Sequence, residues 1–166
     1  MSLEIERRFL VENEDWRSKV ILSEDFNQAY LNSDSDEWIT RIRIIDNSRA
    51  YLTLKSSVNG LVNYEFEYQI PTKDANELFK LSKYKIIKTR YQLKIHEKIW
   101  VVDYFKGANS SLKIAEIELS SQSEQIGVPE WCAQEITGIK SLSNASLAKT
   151  PIAKLSIKDR MKAKDL

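Results

Sequence analysis

Charged side chains recur at every second position along much of this chain. In LEIERRFL, Glu4, Glu6 and Arg8 alternate with Ile5 and Arg7. Arg41 and Arg43 repeat the spacing in WITRIRII, Lys55 lies opposite Leu52 and Leu54, and Glu65 and Glu67 stand apart from Tyr64, Phe66 and Tyr68. Lys88 and Arg90 share a face in KTRYQLKI, Asp103 lies opposite Trp100, Val102 and Tyr104, and Glu116 and Glu118 share a face in IAEIELS. Guanidinium and ammonium groups bind phosphate oxygens. Paired carboxylates bind hard divalent cations such as Mg²⁺ or Mn²⁺. Together the two sets suit a strongly anionic ligand that travels with a metal ion, with Glu4 and Glu6 facing metal and Arg8 facing phosphate.

Side chains at i and i+2 point to one side of a strand, so each segment has a charged face and a largely apolar face. Two placements follow. The charged faces are solvated and the apolar ones form a core, or the strands close into a barrel with the charges inside and the apolar faces outside under helices. The charges come in same-sign pairs, which repel along a strand and add nothing evident to folding. That favours the second placement. The lumen then holds seven carboxylates (Glu4, Glu6, Glu65, Glu67, Asp103, Glu116, Glu118) and six cations (Arg8, Arg41, Arg43, Lys55, Lys88, Arg90). Confined charge of this density is costly unless water, counter-charge or a ligand solvates it.

The elements that must position these groups are mostly strands. Period-2 alternation predicts them over residues 3–11, 27–31, 37–46, 50–56, 61–70, 87–95, 98–105 and 112–120. Turn chemistry separates several, at Asp46-Asn47-Ser48, Asn59-Gly60, His96-Glu97 and Gly107-Ala108-Asn109-Ser110. An apolar stripe predicts a helix over 73–83, and a short one over 14–20 surrounds Trp16. Weaker helical segments are 123–127 and 129–132. A C-terminal helical segment spans about 141–166, with one helix over 143–149 and another from Thr150 as N-cap and Pro151 as first residue. The expected architecture is α+β, mainly antiparallel β, in one domain over residues 1–166.

The chain has 166 residues, 42% hydrophobic and 30% charged, enough for one domain with a real core. Its 25 basic and 24 acidic side chains leave a net charge of +1, which argues against a nucleic-acid coat or a polybasic membrane binder. The single cysteine, Cys132, excludes an internal disulfide and a cysteine-cluster zinc site, and points to a cytoplasmic setting. No apolar run approaches the ~20 residues of a membrane span, and charges from Glu4 onward leave no signal-peptide core. Monomer and homodimer are both compatible with a barrel that has few edges.

The motifs EIERR, TRIR, LTLK, YEFEY, KTRY, WVVDYFKG, AEIEL and EITG, in that order, resemble the CYTH superfamily, the triphosphate tunnel metalloenzymes, and most closely its compact bacterial members. Arg8 stands where the family's ExExK signature usually has Lys. The resemblance covers nearly the whole chain. It implies an eight-stranded closed antiparallel tunnel barrel with a charged lumen, binding a small-molecule triphosphate with Mg²⁺ or Mn²⁺. It implies that Arg8, Arg41, Arg43, Lys55, Lys88 and Arg90 hold the triphosphate. The acidic wall and metal ligands would be Glu4, Glu6, Glu65, Glu67, Asp103, Glu116 and Glu118, with Glu4, Glu6 and the six cations as the catalytic set.

The activity this favours is metal-dependent hydrolysis of inorganic triphosphate or a small organic triphosphate at a terminal phosphoanhydride. The alternatives are a class IV-type adenylyl cyclase making cyclic AMP, and a non-catalytic polyphosphate or nucleotide-binding module. Among the remaining residues, His96 reads as a turn residue and Cys132 as a packing residue. Trp38, Trp100 and Trp131 read as core. Gln28 and Tyr30 share a face and either gate the tunnel or pack. The charged 158–164 stretch either caps a tunnel mouth or is solvated.

Overall fold

The computed structural model describes residues 3–31, 38–154 and 156–162. Among them are nine strands: β1 (Leu3–Val11), β2 (Val20–Tyr30), β3 (Trp38–Ile45), β4 (Arg49–Ser57), β5 (Val62–Gln69), β6 (Tyr84–Ile95), β7 (Lys98–Phe105), β8 (Lys113–Glu118) and β9 (Cys132–Glu135). Three α-helices accompany them: α1 (Thr72–Leu81), α2 (Asn144–Lys149) and α3 (Ile157–Lys162).

The strands pair antiparallel in the order β5-β4-β3-β2-β6-β7-β8-β1, and β1 pairs back to β5, closing an eight-stranded barrel. The closing seam is short, joining Leu3, Glu4 and Ile5 to Tyr64, Asn63 and Val62. β9 adds to β1 outside the ring. Tight turns set the register of two hairpins. Asp46 and Asn47 both have positive φ (49° and 55°) between β3 and β4, and His96 (53°) turns β6 into β7. Asn, Asp and His are the non-glycine residues that tolerate this region best.

Closure separates the two faces of every strand. Outside, Phe9, Leu93, Trp100, Val102, Ala115 and Ile117 form a cluster covered by Trp16 and Trp131. Trp16 sits on a single 3-10 turn, Asp15–Lys19. On the opposite flank, Ala75, Leu78 and Phe79 of α1 pack on Ala29, Ile42, Ile44 and Ala50 of β2 to β4. Inside, one end of the barrel is filled by Leu10, Tyr30, Ile86, Phe105 and Ile114, each on the lumen face of its strand. Leu142 and Leu147 close over them from α2 and the turn before it. Each large apolar side chain buried this way contributes about 1.5–3 kcal/mol.

Several expected boundaries differ. β2 starts at Val20 rather than at 27, with an irregular register between Val20 and Leu22. β9 has no counterpart among the expected strands and meets the weak helical segment 129–132 only at Cys132, and residues 124–129 carry no regular structure. Thr150 does not start a helix. The backbone N–H of Ile152 donates instead to Asn109 Oδ1 (2.9 Å), holding residues 152–154 in a turn. α3 begins at Ile157, where Ser156 Oγ accepts from the Asp159 N–H. Trp38 is 41% exposed beside Phe66, not core. Glu37 and residues 163–166, parts of the expected strand 37–46 and of the C-terminal helical segment, lie outside the described residues.

Candidate active site: a tunnel with an acidic and a basic wall

Strand order sorts the lumen charges by sign. Around the ring, β7, β8, β1 and β5 are neighbours, and their inward faces carry Asp103, Glu116, Glu118, Glu4, Glu6, Glu65 and Glu67. The other arc, β4, β3, β2 and β6, carries Lys55, Arg41, Arg43, Lys88 and Arg90, with Glu24 of β2 as an acid opposite Arg90. Among the described residues, Arg8 is the one lumen-facing cation on the acidic strands. Where the arcs meet, register sets opposite charges face to face: Lys55 against Glu65 and Arg90 against Asp103. Arg8 likewise sits opposite Glu116. At these three positions like charges along a strand meet opposite charges across strands, the arrangement that stabilises a sheet, whereas Glu6 faces Glu118.

Lys55 is the hub of the first junction. Its Nζ bonds a Glu4 carboxylate oxygen and lies 3.7 Å from Glu6 and 3.5 Å from Glu65. Burial, together with Glu6 and Glu65, pushes the Glu4 carboxyl up to about 7 despite Lys55. Glu65 Oε2 is buried and receives no hydrogen bond. Three carboxylates thus share one ammonium, an excess of hard anionic oxygen that fits a divalent cation. Among the described residues no three such donors already form a metal-binding group, and the Lys55 ammonium lies among the three carboxylates.

At the second junction Asp103 is fully buried. Lys88 Nζ donates to Oδ2 (2.5 Å), and Arg90 grips both oxygens at 2.7 Å. Burial alone would raise the Asp103 carboxyl, but Arg90 and Lys88 outweigh it and hold it well below the usual range. Burial, joined by Arg90, pushes the Lys88 ammonium down to about 8 against the pull of Asp103. Arg90 also donates to Glu116 Oε2 (2.8 Å), whose other oxygen accepts from Arg8 Nε (3.0 Å). Asp103 and Glu116 are thus engaged by cations. Glu118, exposed, stands opposite Glu6.

On the basic arc, Arg43 bonds Glu67, and Arg41 reaches the same oxygen at 3.5 Å and Thr53 Oγ1 at 3.1 Å. Thr53 donates in turn to Glu67 (2.8 Å). Two cavities, one of about 420 Å³ and one of about 450 Å³, are both lined by Glu4, Glu6, Arg90 and Glu116. Gln28 Nε2 donates to Tyr30 Oη (3.1 Å) on the wall of the 420 Å³ cavity. Tyr30 also belongs to the apolar filling of the barrel end, so packing and lining are one role here.

Sequence reasoning missed three participants. Thr53 is fully buried and shares the face of Lys55 in LTLK, which alternation alone could have flagged. Phe26 lies on the lumen face of β2 with its ring centroid 5.2 Å from Arg90, 5.5 Å from Arg43 and 5.9 Å from Lys88, within cation–π range of each. Asn144, on α2, accepts from Lys88 Nζ at 3.2 Å. Neither of these last two carries a sequence signal. His96 is a turn residue, and Cys132 is half-buried at the start of β9.

The closed antiparallel barrel matches the fold of the CYTH domain family, and the chain belongs to that family, whose profile matches residues 2–150. It is 36% identical over 155 residues to an inorganic triphosphatase of Acetivibrio thermocellus, covering 91% of this chain and 96% of that protein. A crystal structure of an inorganic triphosphatase aligns with a TM-score of 0.67 at 29% identity, over 89% of this chain and 95% of that one. A Pyrococcus horikoshii protein shares the fold at 24% identity, with a TM-score of 0.58 over 72% of this chain and 80% of its own.

Proposed function

We propose that this protein hydrolyses inorganic triphosphate, or a small organic triphosphate, to orthophosphate and the shortened product in a reaction that needs a divalent metal ion. The observation that carries the reading is the division of one lumen into a basic arc and an acidic arc. The 36% identity to an inorganic triphosphatase supports it.

Arg41, Arg43, Lys88 and Arg90 would hold the phosphate oxygens and offset the charge that builds on them as the terminal phosphoanhydride breaks. Asp103 and Glu67 keep these cations ionised and aimed. The ring of Phe26 lies beside three of them. Glu4, Glu6 and Glu65 would hold Mg²⁺ or Mn²⁺, which supplies Lewis-acid neutralisation of phosphate and activation of water. Lys55, now among these carboxylates, would leave that place to the metal ion and pair with a phosphate oxygen instead. Arg8, tied to Glu116, is pinned at the wall. A cytoplasmic site of action belongs to the same proposal, supported by a single cysteine and by the lack, among the described residues, of a helix long and apolar enough to cross a membrane.

The test is product analysis. Inorganic triphosphate, ATP and thiamine triphosphate would each be incubated with the protein and Mg²⁺ or Mn²⁺, with a chelator control. Metal-dependent orthophosphate from inorganic triphosphate, ahead of ATP, is expected, and Arg41→Ala and Glu67→Gln should reduce it by orders of magnitude with the fold intact. Cyclic AMP and pyrophosphate from ATP would make the protein a cyclase. Tight metal-linked binding without product would make it a binding module.

A further inference from the structure

Two lumen cations on strands that do not touch each other are tied to one short segment that closes the end of the barrel. Lys88, on β6, donates to Asn144 Oδ1 (3.2 Å) as well as to Asp103. Arg8, on β1, donates from Nη2 to the Leu142 carbonyl (3.2 Å) as well as from Nε to Glu116. β7 and β8 lie between these two strands. We propose that residues 142–144, backed by α2, are a positioning element for the phosphate-binding cations, and that Asn144 is the positioning residue through which it acts on Lys88.

An ammonium group has three donors on a flexible four-carbon stem. With Asp103 as its sole fixed acceptor, the Lys88 ammonium can swing around that carboxylate toward the wall. A second acceptor from the opposite side fixes two of its three N–H vectors and leaves the third for a phosphate oxygen. The rings of Phe26 and Phe105, at 5.9 Å and 5.5 Å, limit the remaining directions. Asn144 suits the task because its oxygen accepts without adding a negative charge that would repel phosphate.

The segment is itself firmly seated. Leu142 and Leu147 are fully buried in the filling of the barrel end. Ser143 Oγ accepts from the Ser146 N–H and caps α2. Asn109, buried at the far side, donates to the Leu147 carbonyl (3.1 Å) and accepts from the Ile152 N–H. The planar fork of Arg8 reaches Glu116 and the Leu142 carbonyl at once, a span for which a guanidinium is better shaped than an ammonium. The seat of α2 is thereby registered on the lumen from both walls.

The inference rests on the triphosphate reading, and the experiment separates the two. Affinity for diimidotriphosphate, the inorganic triphosphate analogue whose two bridging oxygens are NH groups, is measured by calorimetry with Mg²⁺ on the full chain. The proteins are wild type, Asn144→Leu, Lys88→Met and the double variant, with thermal melting on each. If Asn144 acts through Lys88, Asn144→Leu weakens binding by about tenfold when Lys88 is present and by less than about twofold when Lys88 is Met, a non-additivity that marks direct coupling. Equal losses in the two backgrounds, or no loss in either, overturn the inference and leave the triphosphate reading standing. A wild type that neither binds the analogue nor cleaves triphosphate overturns the reading and the inference with it. If Asn144→Leu melts far below wild type, Asn144→Ser, which removes the reach of the acceptor with little added bulk, is put through the same cycle and judged by the same two criteria.

Discussion

Replacing Asp103 by Asn tests whether the acid at the heart of the tunnel serves its neighbouring cations. The carboxylate is fully buried and receives three hydrogen bonds from Lys88 and Arg90. Asn keeps the shape, removes the charge and turns one acceptor into a donor aimed at a cation. Removing one partner of a buried ion pair costs about 3–5 kcal/mol. For a chain of this size each kcal/mol lowers the melting temperature by about 2–4 °C, so the variant should melt about 6–20 °C below wild type. The measurement is calorimetric unfolding in chelator, which keeps any metal out of the comparison. Adding Lys88→Met to Asp103→Asn removes one of the stranded charges and should recover a good part of the loss, because Arg90 then keeps Glu116 as its partner. An Asp103→Asn protein within about 1 kcal/mol of wild type, the ordinary effect of a substitution, would refute the reasoning. So would a double variant less stable than the single one.

Three further outcomes are expected. Because the folded Glu4 carboxyl is raised from 4.5 to about 7, the folded chain binds the extra proton. In chelator, stability relative to Glu4→Gln should therefore fall as pH rises from about 4.5 to about 7, by about 3 kcal/mol in total. Urea unfolding across that window checks it, and a flat difference would contradict it. Gly138 has φ +76° and an added Cβ would lie 3.2 Å from Gly60 Cα, so Gly138→Ala should lower the melting temperature, whereas Gly127→Ala, with open space around it, should not. The backbone term alone is about 1–2 kcal/mol. Burial pushes the Cys132 thiol up to about 12, so its alkylation by iodoacetamide at pH 8 should run roughly a thousandfold slower than that of a free thiol. Mass spectrometry of timed samples would show it.

Alternation made the barrel legible because closure separates charge from apolar side chains on most strands. It failed where the two faces are alike. The first half of β2 points Leu22, Glu24 and Phe26 one way and Ile21, Ser23 and Asp25 the other, so neither face reads as core. β9 has four residues, too few for a period, and its place is set by partners far away in sequence, such as the Arg7–Glu135 ion pair. Thr150-Pro151 has helix-start chemistry, yet Asn109 captures the Ile152 N–H and tertiary structure overrides the local signal. For the site, residue types gave the chemistry, but the sorting of signs into two arcs depends on ring order, which no single strand displays. The tether from Asn144 to Lys88 spans 56 positions of sequence and has no local trace.

The closing seam has a consequence for how the molecule comes into being. β1 carries Glu4, Glu6 and Arg8, and its long ladder is with β8; the Arg8–Glu116 bond alone bridges 108 positions. Its contact with β5 is only three residue pairs. On the ribosome, β1 emerges long before β8 exists and has too little to hold it against β5. Chains dominated by such distant pairings fold slowly, and until β8 arrives β1 is an unpaired edge. Its alternating charges discourage wrong partners during that wait. No fragment that ends before β8 can close the ring, so the arrival of β8 and the first appearance of a lumen coincide.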